Sequence, residues 1–141
     1  MRSKIEDIRK DYELCGSDII CLSETWLGED DEVNDLQVEG YSLHVNSVWC
    51  GKGLTTYFKG VKFSQEVDVK EEELQISKFT SKWLDIVSIY RSNQCKILMG
   101  NVFEEILSSN EPTLIPGDLN ICYQKQKKDK NIQYMRDNHF N

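Results

Sequence analysis

Three polar residues follow short apolar runs and carry the oxygen ligands that a divalent cation accepts. Glu24 comes just after the run 19–22, and Asp118 and Asn120 come just after the run 113–115. Polar groups at the carboxyl ends of buried strands commonly line the crevice of an α/β sheet. A magnesium ion among phosphates needs only one or two protein carboxylates. The sequence therefore predicts a site where such an ion neutralises charge on a phosphoryl oxygen and helps generate a nucleophilic hydroxide.

Each of these residues also has an ordinary structural explanation. An acid at a strand end, such as Glu24, is often a solvated loop residue. Asp118 and Asn120 lie in a Gly-Asp-x-Asn sequence, and Asp and Asn commonly bond their own backbone in turns. Tyr90 ends an apolar run, and its ordinary structural role would be to pack in the core or at the rim of the core. Spacing alone leaves the catalytic and the structural explanations open.

The elements that must position these residues alternate between helical and strand patterns. Apolar spacing predicts helices over 5–12, 97–107 and 132–140, with Gly16 as the end of the first. Alternating or continuous apolar runs predict strands over 19–22, 41–45, 54–58, 67–69, 73–79, 83–90 and 112–116. Residues 28–35 are predicted as an acidic loop and 117–120 as a turn. This order predicts an α/β (α+β) fold with mixed sheets flanked by helices.

Composition narrows the class of protein. The chain has 141 residues and a formal net charge of -7, which suits one domain and argues against a general nucleic-acid coat protein. Five cysteines, an odd number with no C-x-x-C pair, favour free thiols in a reducing compartment. No apolar stretch is long enough to span a membrane, and no leader precedes residue 7. We therefore expect an intracellular protein, nuclear or cytoplasmic, with no membrane partner.

Four short motifs together resemble the endonuclease/exonuclease/phosphatase family, whose members have the deoxyribonuclease I-like fold. In family order they are ICLSETWL at 20–27, GKGL at 51–54, IYR at 89–91 and IPGDLNI at 115–121. The Ser-Glu-Thr-Trp-Leu version is most similar to the endonuclease domain of non-LTR retrotransposons. The resemblance covers about residues 4–141. It implies part of a four-layer α/β sandwich and DNA as the ancestral substrate.

The resemblance also implies a role for each matching residue. Glu24 corresponds to the metal ligand, and Asp118 to the aspartate that orients or deprotonates the attacking water near the metal. Asn120 corresponds to the asparagine that holds the scissile phosphate, and Tyr90 to a tyrosine that contacts it. Mg²⁺ or Mn²⁺ would be the cofactor. The implied reaction is in-line hydrolysis of a phosphodiester, driven by positioning and charge stabilisation.

Two departures from the family pattern bear on activity. The family has a strand with an Asn before the first helix and a final strand with an Asp-His pair, and neither has a counterpart here. Of the two histidines, His44 is expected to be a surface or satisfied residue, and His139 follows Asn138 in the wrong context. We therefore expect residues 1–141 to be a single, incomplete domain, truncated at both ends and inactive or weak.

Two alternatives remain at this stage. One is a phosphatase or phosphodiesterase of the same fold, and the other is a catalytically dead domain that binds a partner. The oligomeric state is not predicted. A basic stretch near the end is expected to be a solvated loop or a contact to DNA phosphates; it comprises Lys125, Lys127, Lys128 and Lys130.

Overall fold

The chain forms four layers, in which two β-sheets pack face to face and helices cover their outer faces. A computed structural model describes residues 2–27, 33–48, 52–107, 111–121 and 130–137. The helices are α1 (Arg2–Lys10), α2 (Tyr12–Gly16), α3 (Met99–Ile106) and α4 (Lys130–Asp137), with a 3₁₀ turn at Val33–Leu36. The strands are β1 (Ile19–Ser23), β2 (Ser42–Ser47), β3 (Gly53–Phe58), β4 (Ser64–Glu71), β5 (Leu74–Thr80), β6 (Asp85–Arg91), β7 (Thr113–Leu114) and β8 (Gly117–Asp118). The predicted α/β class is confirmed.

The first sheet has three antiparallel strands in the order β1-β3-β2. Its outer face packs against α1, where Ile5 meets Ile20, Val38, Tyr41 and Tyr57 in one buried cluster. Alternation along β1 explains this face, because Ile20 points to the helices while its neighbours point to the second sheet. The Tyr57 hydroxyl donates a hydrogen bond to the Leu36 carbonyl at 2.8 Å, so this buried phenol is satisfied.

The second sheet has the order β4-β5-β6-β7, and β8 also pairs with β6. β4, β5 and β6 are antiparallel, whereas β7 and β8 run parallel to β6. Every residue of β6 is buried, as expected for a central strand covered on both faces. The outer face packs on α3, where Met99, Phe103 and Ile106 meet Val87 and Ile89.

The interface between the sheets is half apolar and half polar. Phe58, Phe79 and Ile86 form its apolar part. The polar part centres on Asp68 of β4, whose Oδ1 accepts hydrogen bonds from Ser77 Oγ at 2.7 Å and Asn46 Nδ2 at 2.8 Å.

His44 completes this polar group, with its Nε2 atom 3.2 Å from Asp68 Oδ1. We call His44, Asn46, Asp68 and Ser77 the inter-sheet cluster. His44 is therefore the satisfied histidine that the sequence predicts.

The structure differs from the sequence predictions at two local points. The predicted first helix is divided at Asp11, whose backbone is extended. The Asp11 side chain caps α2 by accepting hydrogen bonds from the Glu13 and Leu14 amides. The predicted turn at 117–120 begins with a short strand, because Gly117 and Asp118 pair with β6. Parts of the predicted loops and tail lie outside the described residues, among them residues 28–32, Cys50, Gly51, Cys122, Lys125, Lys127, Lys128 and His139.

Two further observations concern the described part of the chain. Cys15, Cys21 and Cys95 are free thiols there. No helix in that part is long and apolar enough to cross a membrane.

Candidate active site

The first part of the site is the loop that follows β1. Thr25 and Leu27 are each 5% exposed and anchor the loop, whereas Glu24 before Thr25 and Trp26 after it are exposed to solvent. The Thr25 amide donates to the Gly53 carbonyl at 3.3 Å. A Cβ atom at Gly53 would lie 3.0 Å from Thr25 Oγ1, so the glycine leaves room for this close approach. The loop is thus fixed to β3 by its alternate residues.

The loop backbone is strained at the two exposed residues. Glu24 has φ 54° and Trp26 has φ 51°, both in the left-handed region. Such a conformation costs a non-glycine residue about 1–3 kcal/mol and persists where the surroundings impose it. Among the described residues the third non-glycine with positive φ is Asn120, at 49°. All three strained residues therefore belong to the two segments that the sequence analysis singled out.

The second part of the site depends on Gly117. Its φ is 141°, and a Cβ atom there would lie 1.8 Å from the carbonyl oxygen of Ile89. Only glycine therefore allows β8 to lie in parallel register against β6, with Asp118 opposite Tyr90. The Ile89 amide completes the approach by donating to the Pro116 carbonyl at 3.0 Å. This glycine is the local reason that Asp118 reaches the site.

Tyr90 joins the two parts. Its hydroxyl donates a hydrogen bond to Glu24 Oε1 at 3.1 Å, and its side chain is buried. Burial raises the pKa of Tyr90 to about 12, with further contributions from the Glu24 hydrogen bond, the Glu24 charge and the Asp118 charge. Both carboxylates thus act on one phenol, although Glu24 follows a strand of the first sheet and Asp118 lies in the second. The site straddles the two sheets.

Asp118 and Asn120 are held by a local Asx turn. The Asn120 amide donates to Asp118 Oδ1 at 2.8 Å, and Asn120 Nδ2 donates to the Arg91 carbonyl at 2.7 Å. Asn tolerates the left-handed conformation better than most residues, which explains its position at the end of the turn. The bond to Oδ1 orients the Asp118 carboxylate, and each of its oxygens retains a lone pair for a ligand.

Arg91 stabilises the same turn through its side chain. Its guanidinium donates to the Leu119 carbonyl at 3.4 Å and to the Cys95 carbonyl, and the residue is 8% exposed. Its charge is thus directed to backbone oxygens and not to the carboxylates of the site. Sequence reasoning assigned Arg91 no role, and its position directly after Tyr90 was the available signal.

The donor set suits a divalent cation that also binds phosphate. Within the described ranges no Lys or Arg forms an ion pair with Glu24 or Asp118. Nor does that part of the chain contain three or more His, Cys, Asp or Glu residues grouped to hold a metal ion. Two carboxylates with neighbouring amide and phenol oxygens match the small protein share that magnesium takes when phosphate supplies other ligands.

The structure thus brings Glu24, Tyr90 and Asp118 together and holds Asn120 beside them. It places His44 elsewhere, in the inter-sheet cluster. Trp26 and Gly117 were quoted in the sequence motifs without a role, and their backbone conformations could not be seen from residue types.

Comparison with known proteins gives the fold. No family model matches the sequence, and no curated protein matches it. Among solved structures, truncated TDP2 (tyrosyl-DNA phosphodiesterase 2) of Caenorhabditis elegans superposes with a TM-score of 0.57 at 15% identity, over 90% of this chain and 59% of that one. C. elegans TDP2 and its selenomethionine form each give 0.56 at 14% identity, over 90% of this chain and 45% and 44% of theirs. The chain thus spans about half the length of these structures and has their deoxyribonuclease I-like fold.

Proposed function

We propose that this protein hydrolyses phosphodiester bonds in DNA with the help of a divalent cation, as a nicking endonuclease of the retrotransposon type. The observation that carries the proposal is that Glu24 and Asp118, from different sheets, both lie beside Tyr90: the Tyr90 hydroxyl donates to Glu24 Oε1, and Asp118 is opposite Tyr90 in the strand register. The fold shared with a tyrosyl-DNA phosphodiesterase supports it. The Ser-Glu-Thr-Trp-Leu motif supports the retrotransposon type over the other branches of the fold.

Glu24 and Asp118 would hold the cation, which is Mg²⁺ or Mn²⁺. Bound there, it would supply charge neutralisation at a phosphoryl oxygen and a lowered pKa for a water molecule. Within the described ranges neither carboxylate forms an ion pair with a Lys or Arg, so a metal ion would not compete with a protein cation there.

The other residues position the phosphate and the attacking water. Asp118 would hold the attacking water beside the cation and accept its proton, while the bond from the Asn120 amide to Oδ1 fixes the orientation of the carboxylate. Asn120 Nδ2 is oriented by the Arg91 carbonyl and offers its second hydrogen to a phosphate oxygen. Tyr90 remains a proton donor throughout the neutral range because its pKa is about 12. These fixed donors favour the charge that develops during in-line displacement.

We expect the turnover of this chain to be slow. His44 is bonded to Asp68 within the inter-sheet cluster, and so no histidine of the described residues stands at the site. General acid–base assistance typically contributes a factor of about 10²–10⁴ in rate. This commitment of His44 also keeps a second candidate function open, in which the domain binds metal and nucleic acid without turning them over.

The proposal is tested by calorimetric titration of Mn²⁺ into the wild-type protein, Glu24→Gln and Asp118→Asn. Each variant removes one charged ligand and keeps the size of the side chain. We expect each to lower the affinity at least about tenfold, the smaller loss usual when a supporting residue of a metal site is removed. Glu39→Gln is the matched control, since Glu39 is exposed on a turn away from the site. Unchanged affinity in both site variants would refute the assignment of these carboxylates.

Substrate class is tested with the same proteins. Nicking of supercoiled plasmid in Mn²⁺ that is lost in Asp118→Asn would support the endonuclease. Release of phosphate from small soluble esters without plasmid nicking would instead support a phosphatase of the same fold. Metal-dependent binding of DNA with no turnover would support the binding domain.

A further inference from the structure

Trp26 is a large apolar side chain displayed beside the candidate site. It is 60% exposed, and it belongs to the loop that carries Glu24. Its backbone has φ 51°, which is an outlier for a bulky residue. Isolated hydrophobic residues on a surface are ordinary. A bulky hydrophobic residue that is exposed on a left-handed backbone is unusual, and observed strain of this kind is a reason to look for function.

The burial pattern of the loop leaves the indole accessible next to Glu24. Thr25 and Leu27 are 5% exposed, whereas Glu24 and Trp26, on either side of Thr25, are both exposed. Two residues of extended chain span at most about 7 Å. The Cα atom of Trp26 therefore lies within about 7 Å of the Cα atom of Glu24, which is about the length of one nucleotide.

We propose that Trp26 stacks on a nucleobase adjacent to the phosphate at the Glu24–Asp118 site, and so recognises an unpaired or distorted stretch of DNA. This inference rests on the proposed function, which it deepens by naming what the site holds beside the phosphate. An aromatic ring suits any base, because every base has a π-face. Trp26 is thus a specificity-determining residue that favours unstacked nucleotides over paired ones and is largely indifferent to sequence.

The surroundings favour a nucleotide over an apolar protein partner. Among the described residues of this loop, the exposed ones besides Trp26 are Ser23 and Glu24, and both are polar. A single ring bordered by a carboxylate fits a ligand that is itself an aromatic plane attached to a metal-bound phosphate.

The test measures binding of a short fluorescent oligodeoxythymidylate by anisotropy in Mg²⁺, with the integrity of the oligonucleotide checked afterwards on a gel. Trp26→Ala should weaken binding about 5- to 150-fold, the range that loss of one stacked base gives. Trp26→Tyr should recover most of the affinity, because it keeps an aromatic plane. Circular dichroism of each variant checks that the fold is retained.

Trp83→Ala is the matched control. Trp83 is 73% exposed, and it precedes β6 whereas Tyr90 is near the end of that strand. At about 3.3 Å per residue it lies roughly 20 Å from the site. Its removal should leave the affinity unchanged.

A second ligand separates stacking from phosphate binding. An oligomer of the same length that carries abasic sugars keeps the backbone and lacks the bases, so Trp26→Ala should bind it as tightly as the wild type does. If Trp26→Ala binds the thymidylate as tightly as the wild type, the inference is wrong while the proposed function stands. The same holds if the variant loses equal affinity for both ligands. If the wild type binds neither ligand, the inference and the proposed DNA substrate both fail, and the Mn²⁺ titrations of Glu24→Gln and Asp118→Asn then show whether the metal site survives.

Discussion

Replacing Gly117 with alanine tests how the site is built. The added Cβ would lie 1.8 Å from the Ile89 carbonyl oxygen, whereas real Cβ atoms are essentially never closer than 3.0 Å to such a neighbour. β8 would therefore have to move by more than an ångström. That movement breaks the bond from the Ile89 amide to Pro116 and carries Asp118 away from Tyr90.

The expected magnitude follows from two terms. An unsatisfied buried amide costs about 1–3 kcal/mol, and forcing a non-glycine residue into this backbone region costs a further 1–3 kcal/mol, roughly. Gly60→Ala is the control, because Gly60 also has positive φ (73°) but would place its Cβ in open space. Because Gly60→Ala bears the backbone term as well, we expect Gly117→Ala to lose about 1–3 kcal/mol more unfolding free energy than Gly60→Ala.

Urea denaturation of both variants, followed by circular dichroism, measures this difference. The pKa of Tyr90 gives a second readout, because it should fall when the Asp118 charge moves away. Equal free energies for the two variants, within about 0.5 kcal/mol, would show that β8 does not rest on β6 as described, since ordinary surface changes stay in that range. The account of how Asp118 reaches the site would then be wrong.

Two more predictions concern Tyr90 and the inter-sheet cluster. Glu24→Gln should lower the pKa of Tyr90 from about 12, since the Glu24 hydrogen bond and charge both raise it; alkaline absorbance titration of tyrosinate measures the shift, and an unchanged pKa would contradict the bond. Because the folded pKa of Tyr90 lies above the ordinary 10.0, its stabilising contribution is complete below pH 10 and lost as the pH rises through about 12, and Glu24→Gln should reduce that alkaline loss. Asp68→Ala should cost about 2–5 kcal/mol in urea denaturation, because it leaves buried donors unpaired, and a loss below about 1 kcal/mol would contradict the cluster.

Much of the fold could be predicted from the sequence because its strands carry strong patterns. The run before Glu24 and the long apolar segment ending at Tyr90 are continuous or alternating, and both are strands in the structure. β6 is buried throughout, whereas in β1, at the edge of its sheet, only Ile20 is fully buried. Glu24 and Asp118 were singled out from their places at strand ends and Tyr90 from the family resemblance, and the structure brings the three together.

The parts that escaped prediction depend on contacts between distant segments. Gly117 and Asp118 form a strand only because Ile89 leaves a place for a residue without a side chain, so their turn-like sequence was misleading. Asp68 lies in β4, which is polar enough to suggest a solvated strand. Its bond to Ser77 comes from the pairing of β4 with β5, and its bond to Asn46 comes from the packing of the two sheets. Local sequence carries no record of such distant partners.

The inter-sheet cluster also bears on how precisely the two halves of the site face each other. Apolar surfaces can slide over one another at little cost, because their attraction has no direction. Two side chains of the first sheet, His44 and Asn46, contact one oxygen of Asp68 in the second sheet, and a lateral slip of either sheet would stretch both contacts at once. Glu24 follows a strand of one sheet and Asp118 lies in the other. The distance between the two carboxylates is therefore held constant by the same contacts that resist sliding of the sheets. The side chains of the inter-sheet cluster, on β2, β4 and β5, thus help to align the two carboxylates although they lie outside the candidate site.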